Sequence, residues 1–272
     1  MKRCPIAVMM TLLMAGACQQ PDVPSLEVGI PEDAAWRPTE LTGDGMELPD
    51  PRDVIRRMTD FMGNHDDMRF EALVTYQAVQ ENGQKLNFDL LQRMAIRQPD
   101  RLFWTTLRDD GSTNTAWFDR GDFTLLRQPA NVWGQVNLSP NIPEAVESLV
   151  YEYDLDVPFA DMLIEGGQLW LGEEVTSTEY VGEAWVEGYW TDHVALRMPG
   201  ADVQLWVRHG AEPFPARLNI TYTEEEGQPS YSARFRNWGT TLPAGALPAF
   251  VPPPDSEELE VVPVNDLVLA QR

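Results

Sequence analysis

Residues 69–97 read RFEALVTYQAVQENGQKLNFDLLQRMAIR, and this stretch decides the fold. In its first half Phe70, Ala72, Val74, Tyr76 and Ala78 alternate with Arg69, Glu71, Thr75 and Gln77. Successive side chains of a strand point to opposite faces, so the pattern predicts a strand with one apolar face. Asn82-Gly83 then supplies turn chemistry. In the second half Leu86, Phe88, Leu90, Met94 and Ile96 alternate with Asn87, Asp89, Arg93 and Arg97, which completes a β-hairpin.

The same texture extends in both directions. Short strand-like runs follow at 101–108, 113–119, 122–127 and 132–138, separated by Asp109-Asp110-Gly111, Arg120-Gly121 and Pro129-Ala130-Asn131. Even spacing with tight turns predicts an antiparallel meander. Strands resume at 174–182, 185–198, 202–208, 216–223 and 230–238. That makes about eleven strands, six before a central interruption and five after it.

Two helical pieces break the pattern. Asp50 can cap a helix with Pro51 in its first turn, and Val54, Ile55, Met58, Phe61 and Met62 share one face before Gly63 stops it. Asn141 can cap a second, with Pro143 early, Glu144 and Glu147 at the positive end, and Val146, Leu149, Val150 and Tyr153 as its stripe. A short apolar segment at 158–164 continues the interruption. The class is α+β dominated by one large antiparallel sheet.

A sheet of this width curls. Two helices cover only part of one face, so a curved half-barrel with a helical lid leaves an apolar concavity of the kind that holds lipids. The candidates for lining it are Phe88, Trp104, Trp117 and Trp206 from the strands and Leu149, Tyr153, Phe159 and Met162 from the lid.

The chain has 272 residues, 43% hydrophobic and 23% charged, a globular balance. Lys+Arg 20 against Asp+Glu 43 gives a formal charge of −23. Such a surface repels phosphates and excludes charge-driven binding to nucleic acid. Two cysteines and three histidines leave little for a metal cage or a disulfide framework, and no cofactor is expected. No G-x-S-x-G elbow, phosphate loop or H-E-x-x-H motif is present. Asp192-His193 is the best catalytic pair on paper, but neighbours on a strand face opposite ways, so a structural histidine is expected. His65-Asp66-Asp67 reads as a solvated turn in preference to a metal site, and His209-Gly210 as a hairpin turn. No catalytic and no metal-binding residue is assigned.

The first residues, MKRCPIAVMMTLLMAGAC, resemble a bacterial lipoprotein signal peptide: a positive start, a short apolar stretch and small residues before Cys18. The resemblance implies lipid attachment at Cys18. Gln19 in place of Asp then implies the outer membrane. The alternative is an ordinary secretory signal cut near Ala17. Losing Lys2 and Arg3 takes the charge to −25. The expected organisation is a signal over 1–17, a lipidated tether over 18–49, the half-barrel over 50–254 and an acidic tail over 255–272, with the proline-rich closing segment from Pro243 to Arg272 either folding back or staying mobile.

Three series of residues carry a further resemblance. They are Ile96-Arg97-Gln98-Pro99-Asp100-Arg101-Leu102; then Tyr180-Val181-Gly182, Asp192-His193-Val194-Ala195-Leu196-Arg197 and Val203-Gln204-Leu205-Trp206-Val207; and then Pro215 to Tyr222, Gly227 to Phe235, Asn237-Trp238 and Phe250-Val251-Pro252-Pro253. In this order and spacing, from Pro51 to Pro254, the chain resembles the predicted periplasmic proteins called domain of unknown function 2092. That family is similar to the LolA/LolB superfamily, which implies a curved half-barrel with a lid over a hydrophobic cavity that receives acyl chains. It implies no activity and no catalytic residues. Thr191 stands where family members often have cysteine.

The leading expectation is therefore a non-enzymatic, lipid-anchored protein on the periplasmic face of an outer membrane, with a lipid or acylated ligand as partner. The second is an interaction module with a filled cavity that docks on an envelope protein. A hydrolase built on Asp192 and His193 is the third.

Overall fold

In the computed structural model, residues 48–264 are described. The signal, Cys18 and nearly all of the tether lie outside them. The first helix, α1 (Pro51–Gly63), begins where Asp50 accepts a hydrogen bond from the Arg52 N–H at 2.8 Å, and it buries Val54, Ile55 and Met58. The meander follows as β1 (Asp67–Val79), β2 (Lys85–Arg97), β3 (Arg101–Arg108), β4 (Thr113–Asp119), β5 (Asp122–Gln128) and β6 (Val132–Asn137). Then come α2 (Ile142–Tyr151), α3 (Ala160–Glu165) and a single 3-10 turn (Gly166–Trp170). The second half contributes β7 (Ser177–Val186), β8 (Tyr189–Met198), β9 (Ala201–Arg208), β10 (Pro215–Tyr222) and β11 (Ser230–Gly239). A two-residue strand, β12 (Glu257–Glu258), closes the series.

All twelve form one sheet in the order β12-β6-β5-β4-β3-β2-β1-β11-β10-β9-β8-β7. Pairing of β1 with β11 joins the two meanders, so the first and last long strands lie at the centre and the sheet stays open. Every pairing is antiparallel except β12 with β6. The expected half-barrel is thus present, with the short parallel β12 added to the eleven strands anticipated.

The inner face carries the core. Phe70, Ala72 and Val74 of β1 meet Met94, Gln92 and Leu90 of β2, and Val194, Leu196, Val203, Leu205, Leu218, Ala233 and Phe235 extend the surface across the second half. On the outer face arginine–carboxylate pairs span neighbouring strands: Arg93 with Glu71 at 2.8 Å, Arg97 with Asp67 at 2.7 Å and Arg197 with Asp202 at 2.6 Å.

Two boundaries differ from the sequence pattern. The β7–β8 turn falls at Glu187-Gly188 and not between 182 and 185. Both turn residues have positive φ, 50° and 90°, the geometry that suits a two-residue hairpin, while Gly182 sits inside β7 at a bulge. Helix α2 ends at Tyr151, so Tyr153 is not on its stripe. The buried face is Ile142, Ala145, Val146 and Leu149, and the chain turns away at Asp154 with φ 52°.

The closing segment folds back. Phe250 packs its ring 5.0 Å from both Trp117 and Trp133 on the outer face. Leu259 donates to the Trp133 carbonyl at 2.7 Å, and the Val264 N–H reaches the Glu152 carbonyl at 2.8 Å. Gly134 lets this strap lie flat, because a Cβ there would collide with Val261 and the Leu259 carbonyl.

Candidate functional site

The centre of the inner face is covered by the shortest helical elements among the described residues. Residues 155–170, the lid, comprise a loop, the six-residue α3 and the 3-10 turn. Under them is a cavity of about 540 Å³. Its floor is Tyr76, Leu90 and Gln92 from β1 and β2, Leu218, Ile220 and Tyr222 from β10, and Tyr231 from β11. Its roof is Val157, Pro158, Phe159, Met162, Leu169 and Trp170.

Phe159 fixes the roof. It precedes α3 in the left-handed region at φ 54°, a conformation that non-glycine residues rarely adopt. Its ring packs against Phe70 at 5.5 Å, Phe235 at 5.2 Å and Tyr231 at 6.5 Å. The contacts pull the backbone into the turn that aims α3 across the opening.

Polar groups gather at the mouth: Arg108 from the end of β3, Asp156 and Asp161 from the lid, and Glu225 from the β10–β11 turn. Burial, followed by the charges of Asp161 and Glu225, pushes the Tyr222 hydroxyl up from its usual range. Burial is also the main cause for Tyr231, with Tyr222 and Asp156 adding to it. Both phenols stay protonated at neutral pH.

Of the residues expected to line the cavity, Phe159 and Met162 do so. Phe88 lies one row further out, stacked on Tyr76 at 5.5 Å. Trp104 and Leu149 are buried deeper in the core, Trp104 against Phe123 at 5.8 Å. Tyr153 is half-buried beyond α2. Trp117 and Trp206 are on the other side of the sheet. Their neighbours Ala116, Phe118, Leu205 and Val207 point inward, so the strand alternation turns both tryptophans outward. There Trp117 meets Phe250, and Trp206 stacks on His193 at 4.1 Å with the Arg217 guanidinium 4.7 Å from its ring.

Gln92 was missed, although the sequence carries a signal for it. It is the polar residue on the otherwise apolar face of β2, between Leu90 and Met94. Arg108, at the end of an alternating strand, carries no comparable mark.

A second cluster sits at the far end of β8. Asp192 is buried and accepts from Arg57 of α1 at 3.0 Å and from the Tyr180 hydroxyl at 3.0 Å. His209 Nε2 lies 3.0 Å from the same carboxylate and 3.9 Å from Glu183. Asp192 thus meets His209, across the β8–β9 pair, and not His193, whose ring faces out and contacts Gln204 at 3.0 Å. Burial, then the Asp192 charge, raises the Tyr180 phenol, which keeps its proton and remains a donor. Glu183, Asp192 and His209 hold donor atoms within 4.8 Å of one another, the spacing a metal ion needs. A cation there meets the Arg57 guanidinium and must take Asp192 from Tyr180 and His209, so the cluster serves to anchor α1 to the sheet. His65 hydrogen-bonds through Nδ1 to the Phe61 carbonyl at 2.7 Å, and Asp67 is held by Arg97.

A family model described as predicted periplasmic protein, domain of unknown function 2092, matches residues 52–262. No curated protein matches the chain. Among solved structures, an uncharacterized conserved protein of Thermus thermophilus is 13% identical, with a TM-score of 0.43 over 77% of this chain and 98% of that one. The Mycobacterium tuberculosis lipoprotein LppX is 12% identical, with a TM-score of 0.41 over 71% and 96%. A LolA superfamily protein of Nitrosomonas europaea is 9% identical, with a TM-score of 0.36 over 74% and 99%.

Proposed function

The chain belongs to the predicted periplasmic family of domain of unknown function 2092, and from that premise we propose that it binds an amphiphile beneath its lid without chemical conversion. The cavity of about 540 Å³ between β2-β1-β11-β10 and the lid carries this reading. It falls within the roughly 300–1,000 Å³ typical of small-molecule sites, and its walls are mainly apolar and aromatic. An acyl chain leaving water gains roughly 25 cal/mol for each Å² buried, enough for several kcal/mol. Opening of the lid would admit it, with Phe159 and Met162 closing over the bound chain. A cavity of this size also weighs against the reading in which side chains fill the half-barrel and a protein partner is the sole ligand.

In the same proposal Cys18 carries a lipid, and residues 18–49 tether the half-barrel to the periplasmic face of the outer membrane. A tether of roughly 30 residues reaches about 30 Å, so the domain would receive or hold its ligand close to the bilayer. The test is native mass spectrometry with solvent extraction on a soluble form that starts at Gln19 and is purified from periplasm. A discrete extractable mass of lipid character is the expected result. A ligand-free mass that is unchanged after incubation with phospholipids and lipopeptides overturns the reading.

A further inference from the structure

Tyr76 of β1 lies opposite Tyr231 of β11, and Tyr231 lies opposite Ile220 of β10, two residues before Tyr222. Strand alternation puts all three tyrosines on the inner face, at neighbouring positions on adjacent strands, and all three line the cavity. Phenylalanine would pack there as well and bring no polar atom. Among the described residues none of the three hydroxyls has a hydrogen-bond partner. Unlike the Gln92 oxygen they are not sealed inside the protein, so each keeps surface that a molecule in the cavity can touch.

Two of the three stand together at the mouth. Burial first, then the exposed Asp161 and Glu225, raises the Tyr222 phenol. Burial first, then Tyr222 and the exposed Asp156, raises that of Tyr231. Elsewhere the cavity wall is buried and apolar, with Leu90, Leu218, Val157 and Trp170. The site thus has a polar end and an apolar end.

An accessible hydroxyl is hydrated in solution. A chain that fills the cavity displaces that water, and a hydroxyl then left without a partner weakens binding. A ligand that brings an oxygen to this end avoids the loss, and a plain hydrocarbon does not. Both phenols are protonated at neutral pH, so they can donate, and the group they select is an acceptor.

We propose that Tyr222 and Tyr231 form the polar end of the site and donate hydrogen bonds to the carbonyl oxygen of an acyl ligand, whose chain lies against Leu90, Leu218 and Trp170. The inference rests on the amphiphile reading above and adds the chemistry of the ligand's head to it. Acyl esters and free fatty acids share that oxygen, and the test separates them.

Three probes suffice: diphenylhexatriene, a hydrocarbon that fluoresces on leaving water, methyl decanoate and sodium decanoate. The first is titrated by fluorescence and the other two by calorimetry, near neutral pH, into the chain that starts at Gln19. Tyr222→Phe combined with Tyr231→Phe should weaken an acyl probe about three- to tenfold, the worth of one net hydrogen bond. The same variant should bind diphenylhexatriene as tightly as wild type or more so, because the hydroxyls that a hydrocarbon strands are gone. Whichever acyl probe weakens identifies the source of the carbonyl. Each single substitution serves if the double variant does not fold. Infrared spectra of that acyl probe, labelled at its carbonyl carbon, should show the bound stretch at higher frequency in the variant. The proposal is overturned if neither acyl probe weakens, if the hydrocarbon weakens as much as they do, or if the bound stretch is the same in both proteins. Failure of all three probes to bind wild type refutes the amphiphile reading itself, a different outcome.

Discussion

Replacing Phe159 by alanine and, separately, by glycine should reverse the usual order of these two residues. Removing a large aromatic side chain from a core costs about 3–5 kcal/mol. Phe159 is only half-buried, so about 2–3 kcal/mol is expected for the loss of its contacts with Phe70, Phe235 and Tyr231. Both variants lose these contacts equally. They differ in the backbone. At φ 54° alanine bears roughly 1–2 kcal/mol of left-handed strain that glycine does not. Glycine's greater freedom in the unfolded chain returns about 0.4–1 kcal/mol of that advantage. The glycine variant should therefore be the more stable by about 0.5–1 kcal/mol, although glycine is ordinarily the worse choice. Urea midpoints at constant m-value read the global difference. Hydrogen exchange at the Leu163 amide, which donates to the Phe159 carbonyl at 3.2 Å, reads the lid alone. An alanine variant equal to or more stable than the glycine variant would refute the claim that packing of this ring holds a strained turn and so positions the lid.

Three further outcomes follow from the same reasoning. Asp192→Ala should cost about 2 kcal/mol, less than a fully buried pair because Arg57 is 49% exposed and can rehydrate; Asp192→Asn should cost less, and equal losses in thermal melts would contradict the network. Burial holds the His193 pKa below 6.5, partly offset by its bond to Gln204, so the folded state takes up a proton later than the unfolded one. Its contribution is complete above pH 6.5 and is lost as pH falls through the folded pKa; stability should decline over that window in wild type but not in His193→Gln, and imidazole NMR shifts give the pKa directly. Gly134→Val should lift the closing strap and expose residues 246–264 to limited proteolysis with the sheet intact, whereas an unchanged digestion pattern would mean that the strap is not held at this point.

The strands were legible because residues 69–97 alternate almost without interruption, and the α1 boundaries because Asp50, Pro51 and Gly63 are local signals. What could not be read depends on pairing between distant segments. Leu205, Trp206 and Val207 are all apolar, so no alternation says which of them faces inward. The answer lies on β10, where Arg217 stands opposite Trp206 and offers its guanidinium to the ring. Trp117 is settled in the same way by Phe250, more than a hundred residues later in the chain. His209 reads as a turn residue until β8 and β9 pair and bring it to Asp192.

The position of the cavity follows from how unevenly the inner face is covered. Helix α1 lies over β7, β8 and β9 and is anchored there through Arg57. Helix α2 is tied near the β2–β3 junction, where the Ile142 N–H donates to the Pro99 carbonyl at 2.9 Å. Between them β2, β1, β11 and β10 receive only the lid, whose helix has six residues and presents one buried leucine, Leu163. So short a helix gains little from its own hydrogen bonds and owes its place to packing, through Phe159 and the buried Val157, Leu163 and Trp170. The cover of the central strands is thus a short one over a cavity of about 540 Å³, and Gln92 on the same face has a buried side-chain oxygen without a partner. A cover built only for stability would have filled the hollow and put an apolar residue at Gln92, since voids and unpaired buried polar atoms both cost free energy. That the hollow and the unpartnered amide oxygen lie beneath so short a cover is what a site kept open for a ligand requires.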